Sequence, residues 1–150
     1  MNEKPDTPAE LKARALRYLV RREHSRAELA RKLAPFAESQ DAVEALLDSL
    51  LSRKQLSDER FAEERARSLA RKYGPAKIRQ DLKARGITAQ TSERVIAGLD
   101  ELARAKAILE RKYREPASTR EERAKRSRFL QGRGFSYEVI RRAVSSTDDQ

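Results

Sequence analysis

Apolar residues recur along this chain at helical spacing. Val43, Leu46, Leu47, Leu50 and Leu51 share one broad face of a segment from about Asp41 to Lys54. Ala62, Ala66, Leu69 and Tyr73 fall at i, i+4, i+7 and i+11, and Leu102, Ala105, Ile108, Leu109 and Tyr113 form a similar stripe over 101–114. Helix-start signals precede the stripes. Thr7-Pro8-Ala9-Glu10 and Ser25-x-x-Glu28 are capping boxes, and Ser118-x-x-Glu121 has the same form. The first box opens a helix running to about His24, the second a short helix stopping near Pro35, and Ser57 with Asp58 and Glu59 starts a fourth. A fifth lies between Gly74-Pro75 and Gly86. Thr88 caps a sixth, bearing Val95, Ile96 and Leu99, and Gly134-Phe135-Ser136 turns into a last one bearing Val139, Ile140 and Val144. Nine helices follow, and no run alternates as a strand would. The predicted class is all-α.

The pattern repeats. Leu82 set on Leu130, 48 residues later, places Arg85-Gly86-Ile87 on Arg133-Gly134-Phe135, and Leu33 set on Leu82 places Leu29 on Ile78. In the first unit Phe36-Ala37-Glu38 stands where the later two have Arg-Gly-apolar. Three helices per period of about 48 predict three tandem repeats, 7–56, 57–99 and 100–145, between disordered tails at 1–6 and 146–150. Units this small share their apolar faces with neighbours, so an elongated, curved array is expected.

Charge sharpens this picture. The chain carries 34 Lys and Arg against 24 Asp and Glu, a net +10. The excess rises after the first third: 11 basic against 9 acidic groups in 1–57, 10 against 6 in 58–99, and 13 against 9 in 100–150. A basic balance favours an anionic partner. The absence of Cys removes disulfides and thiolate metal sites, and the polar N-terminus and lack of a long apolar run leave the cytoplasm as the expected compartment, with no membrane contact.

Catalysis has little to work with. The only His, His24, sits at a helix C-terminus, where a cationic structural or exposed ring is expected. The carboxylates serve caps and mixed-charge faces, no phosphate-binding Gly-rich loop is present, and no cofactor or metal is expected. The basic helices remain. In KYGPAKIRQDLKARGI (72–87), Ile78 and Leu82 form a narrow seam flanked by Arg79 and Lys83 on one side and Arg85 on the other, with a single acid, Asp81. The eighth helix surrounds Phe129 and Leu130 similarly. Arg71, Lys72, Lys77, Arg79, Lys83 and Arg85, with Arg123, Lys125, Arg126, Arg128 and Arg133, are therefore the candidate anion-binding surface. Few Asn, Gln or Ser accompany them, so contact with phosphate backbone or protein is expected rather than base reading. Tyr73 and Tyr113 lie on apolar stripes and are expected to pack rather than stack on bases.

RFAEERARSLARKYGPAKIRQDLKARGI (60–87) and KRSRFLQGRGFSYEVI (125–140) resemble the bacterial RecX recombination regulators, and the likeness spans roughly residues 10–145. The resemblance implies three tandem three-helix repeats and a non-enzymatic protein. Its implied activity is to bind the RecA–DNA filament and modulate, most often inhibit, filament growth, ATP hydrolysis and strand exchange. It also implies sequence-independent contact with single- and double-stranded DNA, and it carries over no catalytic residues. The chain is expected to act as a monomer. The alternative is a general nucleic-acid-binding helical protein that competes for DNA.

Overall fold

The computed structural model describes residues 4–145. Among them are nine α-helices and no strand: α1 (Pro8–Arg21), α2 (Arg26–Leu33), α3 (Gln40–Ser52), α4 (Asp58–Leu69), α5 (Pro75–Ala84), α6 (Ala89–Ala97), α7 (Glu101–Lys112), α8 (Arg120–Gly132) and α9 (Tyr137–Ser145), with a 3-10 turn at Ala34–Phe36. The tail expected at 146–150 lies outside the described residues, as do residues 1–3. Asp6 belongs to the fold instead of to a tail. Its N–H donates to the Phe36 carbonyl (2.8 Å) and its carboxylate accepts from Arg14 Nε (2.8 Å), while the Arg14 guanidinium lies 3.6 Å over the Phe36 ring.

The helix starts follow from side-chain caps. Thr7 and Glu10, and Ser25 and Glu28, form complete capping boxes, which satisfy N–H groups that a helix start leaves without partners. At α8 the cap is one residue later than expected. Thr119 accepts from the Glu122 N–H, and Glu122 reaches back to the Ser118 N–H (2.7 Å). The doubled Ser-Thr and Glu-Glu pairs offer both registers, and the observed one places Leu130 fully inside. α4 ends at Leu69, so Tyr73 lies beyond the helix, with its N–H on the Leu69 carbonyl (2.9 Å).

Compactness divides the described residues into two units, 4–64 with 84–87, and 65–83 with 88–145. In the first, Leu11, Ala15, Leu29, Leu33, Val43, Leu47, Leu50 and Leu56 make the core between α1, α2 and α3. In the second, Ala105, Ile108, Leu109, Leu130, Phe135, Ile140, Ala143 and Val144 make the core of α7, α8 and α9, and Ile78 and Leu82 of α5 are buried.

One contact occurs in both units. In the second, the Gly74 N–H donates to the Arg133 carbonyl (2.8 Å) and the Ala76 N–H to the Gly134 carbonyl (3.0 Å). The turn after α8 thus supplies backbone acceptors to the first turn of α5. In the first unit, Ser25 Oγ, which caps α2, donates to the Arg85 carbonyl (2.7 Å), and a Cβ on Gly86 would lie 2.5 Å from Ala27 Cβ. Ser25 and Gly74 are equivalent repeat positions, as are Arg85 and Arg133. The Arg-Gly punctuation is therefore a joint: the turn ending one second helix seals the start of the preceding repeat's second helix.

His24 is 1% exposed, which corrects the cationic ring expected at a helix end. Its Nε2 accepts from Lys32 Nζ (2.8 Å), so Nδ1 carries the proton and donates to the Arg22 carbonyl (3.0 Å). Burial, joined by the Arg22 and Lys32 charges, pushes its pKa below the ordinary value, against the opposing pull of the Arg22 carbonyl and Glu28. The ring is neutral in the fold, so below its ordinary value of about 6.5 the unfolded chain takes up a proton before the native one does. Stability from this group is complete above that pH and falls as the pH drops below it. Urea midpoints at pH 7.5, 6.5 and 5.5 should decline for the native chain and stay flatter for His24→Asn. Equal slopes would remove His24 from the account.

Candidate functional site

Five of the eleven predicted cations are engaged by the fold. Arg85 donates to Glu28 (2.7 Å), which also takes Arg22 (3.2 Å) and the Ser25 N–H (3.2 Å). Burial works to raise the Glu28 pKa, but the Arg22 and Ser25 hydrogen bonds and the charges of Arg22 and Arg85 outweigh it and hold the carboxyl below its ordinary value. Arg85 is thus part of the joint at α2. Arg79 is paired with Glu93 of α6 through both guanidinium and carboxylate arms, although both side chains remain about half exposed. Asp81, the single acid of that helix, is held by a bidentate pair from Arg65 at 2.9 Å.

Arg126 and Arg133 are internal fasteners. Arg126 is 7% exposed, lies 4.5 Å over the Tyr113 ring, and donates to the Glu115 carbonyl (2.7 Å). Arg133 lies 5.5 Å from the Tyr73 ring centre and 5.0 Å from that of Phe129, with Nη1 toward the Lys72 carbonyl (3.4 Å). Lys112 covers Phe129 at 4.4 Å, and Tyr113 meets Phe129 edge-on. These contacts join cation–π attraction to packing. They also place both tyrosines in packing roles. Arg123 is half-buried and already engaged.

Six predicted cations remain exposed without an ion pair among the described residues: Arg71, Lys72, Lys77, Lys83, Lys125 and Arg128. At the joint the first turn of α5, with Lys72 and Lys77 around it, meets the last turn of α8. Lys125 and Arg128 lie about 12 Å and about 8 Å back along α8 from Arg133, at about 1.5 Å per residue. Arg71 also lines a cleft of about 320 Å³ with Arg104, Glu110 and Arg111, where Arg111 donates to the Arg71 carbonyl. Arg104 and Arg111 lie outside the expected surface, because their α7 stripe shows in sequence only as ordinary mixed charge. Three guanidiniums around one small cleft suit phosphate or carboxylate oxygens. Among the described residues no cluster of three or more His, Asp or Glu is placed to hold a metal ion, and no helix is long and apolar enough to cross a membrane.

The fold is that of a helical-repeat protein, and its second unit presents exposed cations that no ion pair among the described residues engages. Family models described as the first, second and third three-helix domains of RecX match residues 12–50, 57–96 and 100–144. The chain belongs to the RecX family, a family of regulatory proteins and not of enzymes. It is 50% identical to the regulatory protein RecX of Ralstonia nicotianae, covering 96% of this chain and 92% of that protein, and 48% identical to that of Herbaspirillum seropedicae, covering 95% and 94%. The crystal structure of RecX from Lactobacillus salivarius superposes with a TM-score of 0.84 at 22% identity, over 95% of this chain and 97% of that one. At that identity the likeness supports the fold alone.

Proposed function

We propose that this chain binds the RecA–DNA filament in the cytoplasm as a monomer and restrains ATP hydrolysis, filament growth and strand exchange. The observation that carries this reading is the division of the basic residues. Folding accounts for Arg85, Arg126 and Arg133, while Lys72, Lys77, Lys83, Lys125, Arg71 and Arg128 stay exposed and unspent. Such cations gain counterion-release energy on a phosphate backbone and carry no base preference. A repeat protein that touches several filament protomers at once adds avidity to these weak contacts.

Titration of the chain into RecA on saturating single-stranded DNA tests the reading. ATP hydrolysis should fall at chain levels far too low to cover the DNA, as filament capping or bridging requires. Loss of hydrolysis only when the chain is abundant enough to occlude most of the DNA would overturn it, in favour of plain competition for nucleic acid.

A further inference from the structure

The α8–α9 pair of the second unit carries a cleft of about 640 Å³ that shares only Arg123 and Arg128 with the candidate basic surface. Its apolar wall comes from Phe135, Ile140 and Val144, and its polar wall includes Arg128 and Arg141. No Asp or Glu lines it. Tyr137 lines it too and is 82% exposed, one of the two most exposed large hydrophobic side chains among the described residues. The volume lies in the range of small-ligand or side-chain sites.

We infer that this cleft takes an acidic peptide segment of another protein, with one aliphatic or aromatic anchor seated on the Ile140–Val144 wall and flanking carboxylates on Arg128 and Arg141. Charge complementarity selects the partner's sign, since arginine forks meet carboxylates bidentately and lose little on desolvation. The apolar wall selects a side chain over a sugar-phosphate strand. A nucleotide subsite is built from flat aromatic faces, but the wall here is Phe135, Ile140 and Val144, each 6% exposed, and only Tyr137 offers an exposed ring face. Anchors in such sheltered pockets carry most of the energy of peptide recognition. The inference shares Arg128 with the filament reading but is separable from it, because its tests fall on Tyr137 and Arg141, which that reading does not use.

Fluorescence anisotropy with a labelled nonapeptide, a Leu-Phe pair flanked by Glu and Asp, tests it on the full chain. Binding should weaken with salt, fall about tenfold for Arg141→Glu, and fall for Tyr137→Ala, whose exposed side chain leaves folding intact. The same peptide with Ser-Ser in place of Leu-Phe should not bind. Equal binding by that control, or indifference to both substitutions, would overturn the proposal. Displacement of the peptide by an oligothymidine strand would overturn it by making the cleft a nucleic-acid subsite. Binding seen only in a chain ending at Ser145 would overturn it too, by giving the cleft to the chain's own Asp148 and Asp149.

Discussion

Gly134→Ala should destabilise the protein by about 2–5 kcal/mol, a large share of the total stability of a small domain. Two costs coincide at this residue. Its φ of +94° is a conformation that L side chains rarely adopt, and a Cβ there would lie 2.7 Å from Lys77 Cγ and 2.8 Å from the Lys77 backbone N. A flexible lysine methylene can yield, but the backbone nitrogen moves only if the start of α5 withdraws from the α8 turn. Withdrawal breaks the hydrogen bonds from Gly74 and Ala76 and leaves N–H groups at the α5 start without acceptors. Gly74→Ala attacks the same joint from the other side, since its Cβ would lie 2.7 Å from the Gly134 carbonyl carbon and oxygen and the Phe135 nitrogen. Gly132→Ala, at the end of α8 with nothing within 4 Å, should instead stabilise by about 0.5–1 kcal/mol through helix propensity. Urea unfolding separates the three. A Gly134→Ala midpoint no lower than that of Gly132→Ala would sink the joint as a structural element.

That joint marks the boundary of what the sequence reveals. Helix number, most starts and the 48-residue echo were legible because caps and apolar periodicity are local signals, readable within one or two turns. Arg85-Gly86 and Arg133-Gly134 were legible as punctuation. Their partners were not, because Ser25 and Gly74 lie about 60 residues away in sequence and the bonds run largely through backbone atoms, which leave no side-chain signature. The candidate site was legible as a charge count and no further. Nothing near Arg79 in sequence announces Glu93 on the next helix, and nothing near Arg85 announces Glu28 one repeat earlier. Arg126 reads as one more surface cation in RAKRSRFLQGR, although the Tyr113 ring and the Glu115 carbonyl draw it inside. Pairing and burial are tertiary, so a basic helix read alone overstates how many of its cations face a ligand.

The same division yields the sharpest functional contrast. Lys72→Gln, Lys77→Gln and Lys125→Gln together should weaken binding to single-stranded DNA about a hundredfold near 0.1 M salt and reduce the slope of log affinity against log salt by about 2, at about 0.7 for each phosphate that is no longer neutralised. Their urea midpoint and helicity should match those of the native chain, since no ion pair or buried contact among the described residues is broken. Arg126→Ala should do the reverse. It removes a ring-stacked guanidinium and strands the Glu115 carbonyl, costing about 1–3 kcal/mol of stability, while the folded fraction keeps its DNA affinity and salt slope. A single surface of interchangeable positive charge predicts no such contrast, because every cation would then lower affinity in proportion and none would lower stability. Nitrocellulose retention across a salt series, beside urea unfolding of the same samples, decides between the two. If the triple lysine variant binds as the native chain does, those three lysines are solvated helix faces, and any DNA contact must be sought elsewhere, first at Arg71, Arg104 and Arg111 in the cleft beside α7.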